Sequence, residues 1–183
     1  MTQSAQSPHI VLIGLMGTGK STVGQRLAKR INFGFFDTDK QIEIASGRSV
    51  REIFADDGEE TFRDMEATAL REALSQIKPL VVAAAGGCVL RDGNRHLISQ
   101  ASHRIWLTAD LELITQRVSA RALRKQGHRP LLDADPRARL SELESERRSL
   151  YAAVATTALD VTHLKINEVV DTLATIVLME VTP

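Results

Sequence analysis

The sequence predicts an α/β domain in which helices cover both faces of a parallel β-sheet. Short apolar runs of strand length alternate with segments of helical periodicity, the pattern of a doubly covered parallel sheet. The first apolar run also ends in a glycine-rich turn that leads directly into a helix. The 183 residues, 43% hydrophobic and 25% charged, have the size and composition of one soluble globular domain. We therefore expect residues 1–183 to form a single domain.

Five short segments are predicted to form strands. They are residues 9–13, 33–36, 80–84, 104–107 and 158–161. The first, from His9 to Ile13, is a continuous apolar run, as expected for a strand that is buried on both faces.

The segments between these strands show helical spacing of apolar residues. The predicted helices are residues 21–31, 39–45, 50–54, 61–77, 94–101, 111–120, 137–154 and 168–179. The clearest is 61–77, which places Leu70, Leu74 and Ile77 on one face. Residues 119–136 are polar, rich in arginine and less periodic, so a run of solvated charges is one interpretation of this segment.

Composition excludes several classes of protein. Lys and Arg together number 23, as do Asp and Glu, whereas a nucleic-acid-binding domain is usually basic. No apolar run approaches the roughly 20 residues that a membrane-spanning helix needs, and the N-terminal residues lack the pattern of a signal peptide. Cys88 is the only cysteine, which fits a reducing compartment. We expect a cytoplasmic protein without nucleic-acid or membrane partners.

The strongest motif is Gly14-Leu-Met-Gly-Thr-Gly19-Lys20-Ser21, which matches the phosphate-binding pattern G-x-x-x-x-G-K-[ST] in full. Glycines let the backbone N–H groups of such a loop approach phosphate oxygens, and the following helix adds the positive end of its dipole. The pattern predicts that Lys20 bridges the β- and γ-phosphates and that the Ser21 hydroxyl ligates Mg²⁺. A glycine-rich turn without function is the alternative, and a dinucleotide fingerprint is excluded because Thr22 stands where its third glycine belongs.

An acidic pair, Asp37 and Asp39, follows the second predicted strand. Residues two apart in an extended segment project to the same side, so we expect both carboxylates to face the nucleotide. One could hold Mg²⁺, directly or through water, and the other could accept a proton from an attacking hydroxyl. The alternative is a solvated turn in which Asp39 caps the next helix.

Together these motifs and several others resemble the shikimate kinase family, and the resemblance runs from about Ile10 to the last helix. The further matching segments are Arg48-Ser-Val-Arg-Glu-Ile-Phe54, Gly58-Glu-Glu-Thr-Phe-Arg63, Gly86-Gly87, Arg129-Pro-Leu-Leu132 and Arg147-Arg-Ser-Leu-Tyr151. The phosphate-binding loop alone identifies only a superfamily, whereas the ordered set is specific. It implies transfer of the γ-phosphoryl group of ATP to the 3-hydroxyl of shikimate, on the route to chorismate and the aromatic amino acids.

The resemblance also implies a fold and a set of partners. The fold resembles that of the nucleoside-monophosphate kinases: a three-layer α/β/α domain with five parallel strands. It includes a substrate-binding region at about 38–66 and a mobile lid at about 119–136. ATP and shikimate are the implied partners, Mg²⁺ is the implied cofactor, and the implied oligomeric state is a monomer.

Residue roles follow from the same resemblance. ATP-binding residues are expected to be Gly17, Thr18, Gly19, Lys20, Ser21, Thr22, Arg121 and Arg129, with Ser21 and Asp37 serving the metal. Substrate-binding residues are expected to be Asp39, Arg63, Gly86, Gly87 and Arg147. Lys20, Asp39 and Arg129 are the implied catalytic residues. Guanidinium groups suit a carboxylated substrate because they bind a carboxylate through two parallel hydrogen bonds.

Specific expectations apply to three further positions, Ala85, Cys88 and Trp106. The family has three glycines in the substrate loop, and this chain has Ala85 at the first, where a positive φ would be strained. Cys88 is expected to be a small buried residue rather than a nucleophile. Trp106 is expected in the core.

Three other functions compete with shikimate phosphorylation. A kinase for a sugar acid such as gluconate would keep the phosphate loop, but it need not keep both arginines that match carboxylate-binding positions. A nucleoside-monophosphate kinase would need a base-recognition pocket, for which the sequence shows no motif. A ligand-sensing module without catalysis would not need Lys20, Ser21, Asp37 and Asp39 together.

Overall fold

A computed structural model of the chain describes residues 7–125 and 135–179, with side chains for 7–120 and 135–179. Its five strands are Ser7–Ile13 (β1), Gly34–Asp37 (β2), Leu80–Ala83 (β3), Ala101–Thr108 (β4) and Thr157–Asp160 (β5). They form one sheet in the order β2-β3-β1-β4-β5, and every pair is parallel. The predicted five-stranded parallel sheet is therefore confirmed.

Eight helices are described. They are Lys20–Ile31 (α1), Thr38–Ser46 (α2), Val50–Asp56 (α3), Gly58–Leu74 (α4), Asp92–Ser99 (α5), Leu111–Lys125 (α6), Pro136–Val154 (α7) and Ile166–Met179 (α8). A short 3₁₀ helix, Cys88–Leu90, follows β3. Within the described ranges, no helix is long and apolar enough to cross a membrane.

The central strand β1 is buried on both faces because its side chains alternate between two hydrophobic clusters. Val11 and Ile13 pack in the cluster that includes residues of α4, α5 and α7. Ile10 and Leu12 pack in the other, with residues of α1 and α8. This is the three-layer arrangement, and it explains why β1 appears in the sequence as a continuous apolar run.

The strand order places the important loops at one edge of the sheet. β1 lies between β3 and β4, and β2 pairs with β3 on its other side. In a parallel sheet all carboxyl ends share one edge, and ligands bind there in doubly wound folds. The loops that follow β1, β2 and β3 therefore meet, and they carry the phosphate-loop pattern, the acidic pair and the Gly86-Gly87 pair.

Two predicted helices have wrong boundaries. The helix predicted over 61–77 begins at Gly58 and ends at Leu74, so Ile77 lies outside it and is 95% exposed. Ala101, predicted as the last residue of a helix, instead begins β4 and is fully buried.

Candidate active site

The loop between β1 and α1 has the backbone of a phosphate-binding loop. Gly14, Gly17 and Gly19 have φ of 135°, 86° and 100°, values that L side chains rarely adopt. Lys20 folds back over the loop, and its Nζ donates to the carbonyl oxygens of Gly14 at 2.7 Å and Leu15 at 2.9 Å. The same glycines that would let phosphates approach thus also hold the loop in its curved form.

A cleft of about 350 Å³ opens over this loop. Among the predicted site residues, it is lined by Gly17, Thr18, Gly19, Lys20, Ser21, Thr22, Asp37, Asp39 and Gly86. These residues come from three different loops, so the fold brings together the predicted phosphate loop, the acidic pair and the start of the glycine pair.

Another part of the cleft lining is largely apolar, and no sequence motif indicated it. Besides Arg117, it is formed by Val118, Val161, Leu164, Ile166 and Val169. Most of these residues lie in the segment from the end of β5 into α8. Core packing explains the apolar character of these residues equally well. The sequence therefore has no signal that identifies them as a binding surface.

The acidic pair lies in the cleft, but not for the reason that its spacing suggested. α2 begins at Thr38, so Asp37 ends a strand while Asp39 lies in the first turn of a helix. The alternation of an extended segment therefore does not apply. Asp37, not Asp39, is the helix cap, because its carboxylate accepts a hydrogen bond from the Lys40 N–H at 3.2 Å. Both carboxylates nevertheless line the same cleft.

Thr38, between the two aspartates, joins this segment to the substrate loop. It is 1% exposed, and its hydroxyl oxygen accepts a hydrogen bond from the Ala85 N–H at 2.8 Å. The hydroxyl in turn donates to the Ala83 carbonyl at 3.4 Å. The placement of Asp37 and Asp39 is thus coupled to the loop that carries Gly86 and Gly87.

Arg63 and Arg147 flank the glycine pair from two helices. Arg63 on α4 is 6% exposed and Arg147 on α7 is 4% exposed, so neither is an ordinary surface arginine. A Cβ atom at Gly87 would overlap the guanidinium of Arg63, and one at Gly86 would lie 3.8 Å from Nη1 of Arg147. Of the two adjacent arginines on α7, Arg147 is the buried one, whereas Arg148 is exposed and pairs with Glu144 at 2.6 Å.

Glu66 is a member of this cluster that the sequence analysis missed. It is 1% exposed and accepts a hydrogen bond from Arg63 at 2.5 Å, while Glu59 binds the other Arg63 nitrogen at 2.7 Å. Burial raises the pKa of Glu66 to about 7, although the positive charge of Arg63 acts in the opposite direction. The signal for it was available, since Glu66 lies one turn after Phe62 and before Leu70 on the apolar face of α4.

The questions about Ala85, Cys88 and Trp106 have clear answers. Asn32 is the one non-glycine residue with positive φ in the described ranges, so Ala85 is unstrained and its methyl group is simply buried. Cys88 is 1% exposed, and burial raises the pKa of its thiol well above the usual range, as expected for an unreactive core residue. Trp106 is only partly buried, and its ring stacks on Tyr151.

Arg121 and Arg129, the two predicted arginines of the nucleotide site, belong to the predicted lid. Arg129 lies outside the described residues, and so does the side chain of Arg121. Of the predicted lid, about 119–136, residues 126–134 and the side chains of 121–125 lie outside the described part of the chain.

The donor set suits a cation that is held partly by its nucleotide. In residues 7–120 and 135–179, no group of three or more His, Cys, Asp or Glu side chains could hold a metal ion by itself. Ser21 and Asp37 both line the cleft and offer one hydroxyl and one carboxylate. Mg²⁺ commonly binds through one or two protein oxygens together with phosphates and water, so these residues fit that ion.

Comparisons with known proteins agree with this geometry. A family model described as shikimate kinase matches residues 16–177. A shikimate kinase of Nitrobacter winogradskyi is 44% identical over 143 residues, which make up 78% of this chain and 64% of that protein. A shikimate kinase of Zymomonas mobilis is 42% identical over 156 residues, 83% of this chain and 85% of that protein.

A solved structure shows the same architecture. The shikimate kinase from Acinetobacter baumannii, determined in complex with shikimate, superposes with a TM-score of 0.88 at 31% identity. The match covers 98% of this chain and 97% of that one.

Proposed function

The chain belongs to the shikimate kinase family, and on this basis we propose that it transfers the γ-phosphoryl group of ATP to the 3-hydroxyl of shikimate. The products would be shikimate 3-phosphate and ADP, within chorismate and aromatic amino acid biosynthesis. The observation that carries the proposal is the meeting of a complete phosphate loop and Asp39 in one cleft, beside two buried arginines. Such a site offers places for a triphosphate, a hydroxyl group and a carboxylate at once.

ATP would bind with its phosphates on the backbone N–H groups of Gly17–Thr22. Lys20 would leave the Gly14 and Leu15 carbonyls, or share its protons with them, to reach the β- and γ-phosphates. The apolar wall that includes Leu164 and Ile166 suits the flat face of the adenine base. We retain Arg121 and Arg129 as proposed nucleotide contacts on the resemblance alone.

Mg²⁺ would be held by the Ser21 hydroxyl and, through water, by Asp37. When bound, it would neutralise part of the charge on the phosphate oxygens.

Shikimate would bind on the other side of Gly86, with its carboxylate between Arg63 and Arg147. Each guanidinium can present two N–H groups to a carboxylate, and both lie in a buried setting where such hydrogen bonds are strong. Gly86 lies near Arg147 and Gly87 lies against Arg63, and the N–H groups of this glycine pair are the proposed backbone donors.

The chain's own residues then supply position, a base and positive charge. Asp39 would orient the 3-hydroxyl and take up its proton as the oxygen forms a bond to the γ-phosphorus. The bond from the γ-phosphorus to the β,γ-bridging oxygen breaks, and its electron pair leaves with ADP. Lys20 and Arg129 would stabilise the charge on the transferring group, the main protein contribution in reactions of this kind.

We further propose that the chain works as a monomeric, single-domain enzyme of the cytoplasm. The substrate-binding region would be residues 38–66, which comprise α2, α3 and the first half of α4, and the lid would be about 119–136. A single, buried, unpaired cysteine fits a reducing compartment.

The test is an ATP-consumption assay on the purified full chain with shikimate, gluconate or a nucleoside monophosphate as acceptor. We expect turnover with shikimate only, and ³¹P NMR should show a phosphate monoester on the 3-oxygen. Turnover with gluconate instead would reassign the acceptor while leaving the phosphate loop in place. ATP binding without turnover on any acceptor would favour a ligand-sensing module.

A further inference from the structure

The buried Tyr151 side chain is hydrogen-bonded to the substrate loop, the segment that carries Gly86 and Gly87. It is 1% exposed on α7, and its hydroxyl donates a 2.5 Å hydrogen bond to the carbonyl oxygen of Gly86. Its ring stacks on Trp106 with centroids 5.8 Å apart and an interplanar angle of 29°, so the hydroxyl has little freedom to move. None of the roles assigned above uses this residue.

The Gly86 carbonyl belongs to the same rigid peptide unit as the Gly87 N–H. No peptide bond in the described ranges is cis, so this carbonyl and this N–H point in opposite directions. A hydrogen bond that fixes the carbonyl therefore also fixes the direction of the N–H, away from the Tyr151 hydroxyl. Because a glycine lies on each side, rotation of this peptide plane meets less steric resistance than elsewhere in the chain.

Other hydrogen bonds fix the neighbouring peptides of the loop, whereas the peptide between Gly86 and Gly87 is held by Tyr151. The Ala85 N–H is bound by Thr38 at 2.8 Å, and the Cys88 N–H donates to the Ala85 carbonyl at 3.1 Å. In the part of the chain that the structure describes, neither the Gly86 nor the Gly87 N–H donates a hydrogen bond to another protein group. Both N–H groups thus remain available to a ligand. To bind it, they must point towards it.

The chemistry around the phenol directs its proton to the carbonyl. Arg147 lies one helical turn before Tyr151 and close to its oxygen. Arginine has only donors, so the single proton of Tyr151 is left for Gly86. Burial raises the pKa of the Tyr151 phenol, with Arg147 acting in the opposite direction, so burial favours the neutral hydroxyl that can donate.

We propose that Tyr151 is a positioning residue for substrate binding, which aims the Gly87 N–H at the substrate carboxylate by holding the Gly86 carbonyl. The inference rests on the proposed function and deepens it. From one helix, Arg147 would contact the carboxylate directly while Tyr151 sets the backbone donor beside it.

Tyr151→Phe tests this, since it keeps the stacked ring and removes only the hydroxyl. The matched control is Ser102→Ala, which also removes a hydroxyl that donates to a backbone carbonyl, that of His9 at 3.0 Å, at the start of β4 and away from the cleft. For both variants, KM for shikimate and for ATP, kcat and the melting temperature would be measured on the full chain. Shikimate affinity would also be measured directly by calorimetry.

We expect Tyr151→Phe to raise KM and Kd for shikimate about tenfold, the scale of one hydrogen bond to a charged group, with KM for ATP within about twofold. Ser102→Ala should lower the melting temperature about as much as Tyr151→Phe does, but it should leave KM for shikimate and KM for ATP unchanged. An unchanged shikimate affinity, or equal changes for both substrates, would overturn the inference. Failure of the wild-type chain to phosphorylate shikimate would instead refute the proposed function, so the two failures are distinguishable.

Discussion

Gly87 and Arg63 are packed so closely that a single methyl group at position 87 would overlap the guanidinium. A Cβ atom at this position would lie within 3.0 Å of Nη1, Cζ and Nη2 of Arg63. Real Cβ atoms essentially never approach another heavy atom this closely, so the arginine would have to move. The glycine is required here for space, not for an unusual backbone angle, since its φ is negative.

The first prediction concerns this contact. Gly87→Ala should displace Arg63 and raise KM for shikimate at least tenfold, because a displaced charged donor loses roughly 1.5–3 kcal/mol of interaction. KM for ATP should change little. Gly86→Ala is the control, since its Cβ would meet other atoms at 3.5 Å or more, in ordinary contact. Equal shikimate KM values for the two variants would contradict the steric argument.

The second prediction concerns the phosphate loop. Lys20→Ala should lower kcat by at least about 10²-fold, because the ammonium stabilises charge on the transferring phosphoryl group. Lys20 is half-buried and bonds two loop carbonyls, so the variant should also lose about 1 kcal/mol of unfolding free energy. Steady-state kinetics and urea unfolding would measure both. Retention of more than about a tenth of wild-type kcat would exclude the assigned role.

The third prediction separates the two aspartates of the cleft. Asp39→Asn cannot accept the proton, so kcat should fall about 10²-fold or more at every Mg²⁺ concentration. Asp37→Asn removes charge near the metal, and its defect should shrink as Mg²⁺ is raised. The helix cap should survive in Asp37→Asn, because asparagine caps as well as aspartate. Rescue of Asp39→Asn by Mg²⁺ would show that the roles are reversed.

The fourth prediction concerns the arginines that flank the glycine pair. Arg63→Ala and Arg147→Ala should each raise KM for shikimate at least tenfold and leave ATP affinity nearly unchanged. Arg63→Ala should in addition destabilise the fold by about 3 kcal/mol, because it leaves Glu66 buried without its partner. The double variant Arg63→Met, Glu66→Gln should recover that stability but not the substrate affinity. Loss of ATP affinity would move these arginines to the nucleotide side.

The fifth prediction uses the raised pKa of Glu66, which lies at about 7. Protonation of Glu66 removes a negative charge beside Arg63, so a carboxylated substrate should bind more tightly as the pH falls through that value. Shikimate affinity should therefore be greater at about pH 6 than at about pH 8, a range in which an ordinary substrate carboxylate stays ionised. Calorimetric titration of Glu66→Gln should give a flat profile over the same range. A flat wild-type profile would refute the assignment.

The sequence by itself determined the fold class and the nature of the phosphate site. Apolar runs mark buried strands, and the loop from Gly14 to Ser21 is a local motif in which residue type, spacing and backbone angle all depend on near neighbours. Such features can be predicted from one segment of the sequence because the interactions that produce them are between residues of that segment. The ordered motifs also sufficed to predict the shikimate kinase family.

Tertiary structure decided what surrounds that loop. The strand order β2-β3-β1-β4-β5 brings the acidic pair and the glycine pair to one cleft, and no local pattern fixes which strands are neighbours. The spacing rule for Asp37 and Asp39 failed because the helix begins between them. Tyr151 and Gly86, which are 65 positions apart, are hydrogen-bonded. Glu66 and Arg63 become buried only when α4 packs on the sheet, and this burial raises the pKa of Glu66. The sequence shows which residues stand at these positions, but only the tertiary structure decides their environment.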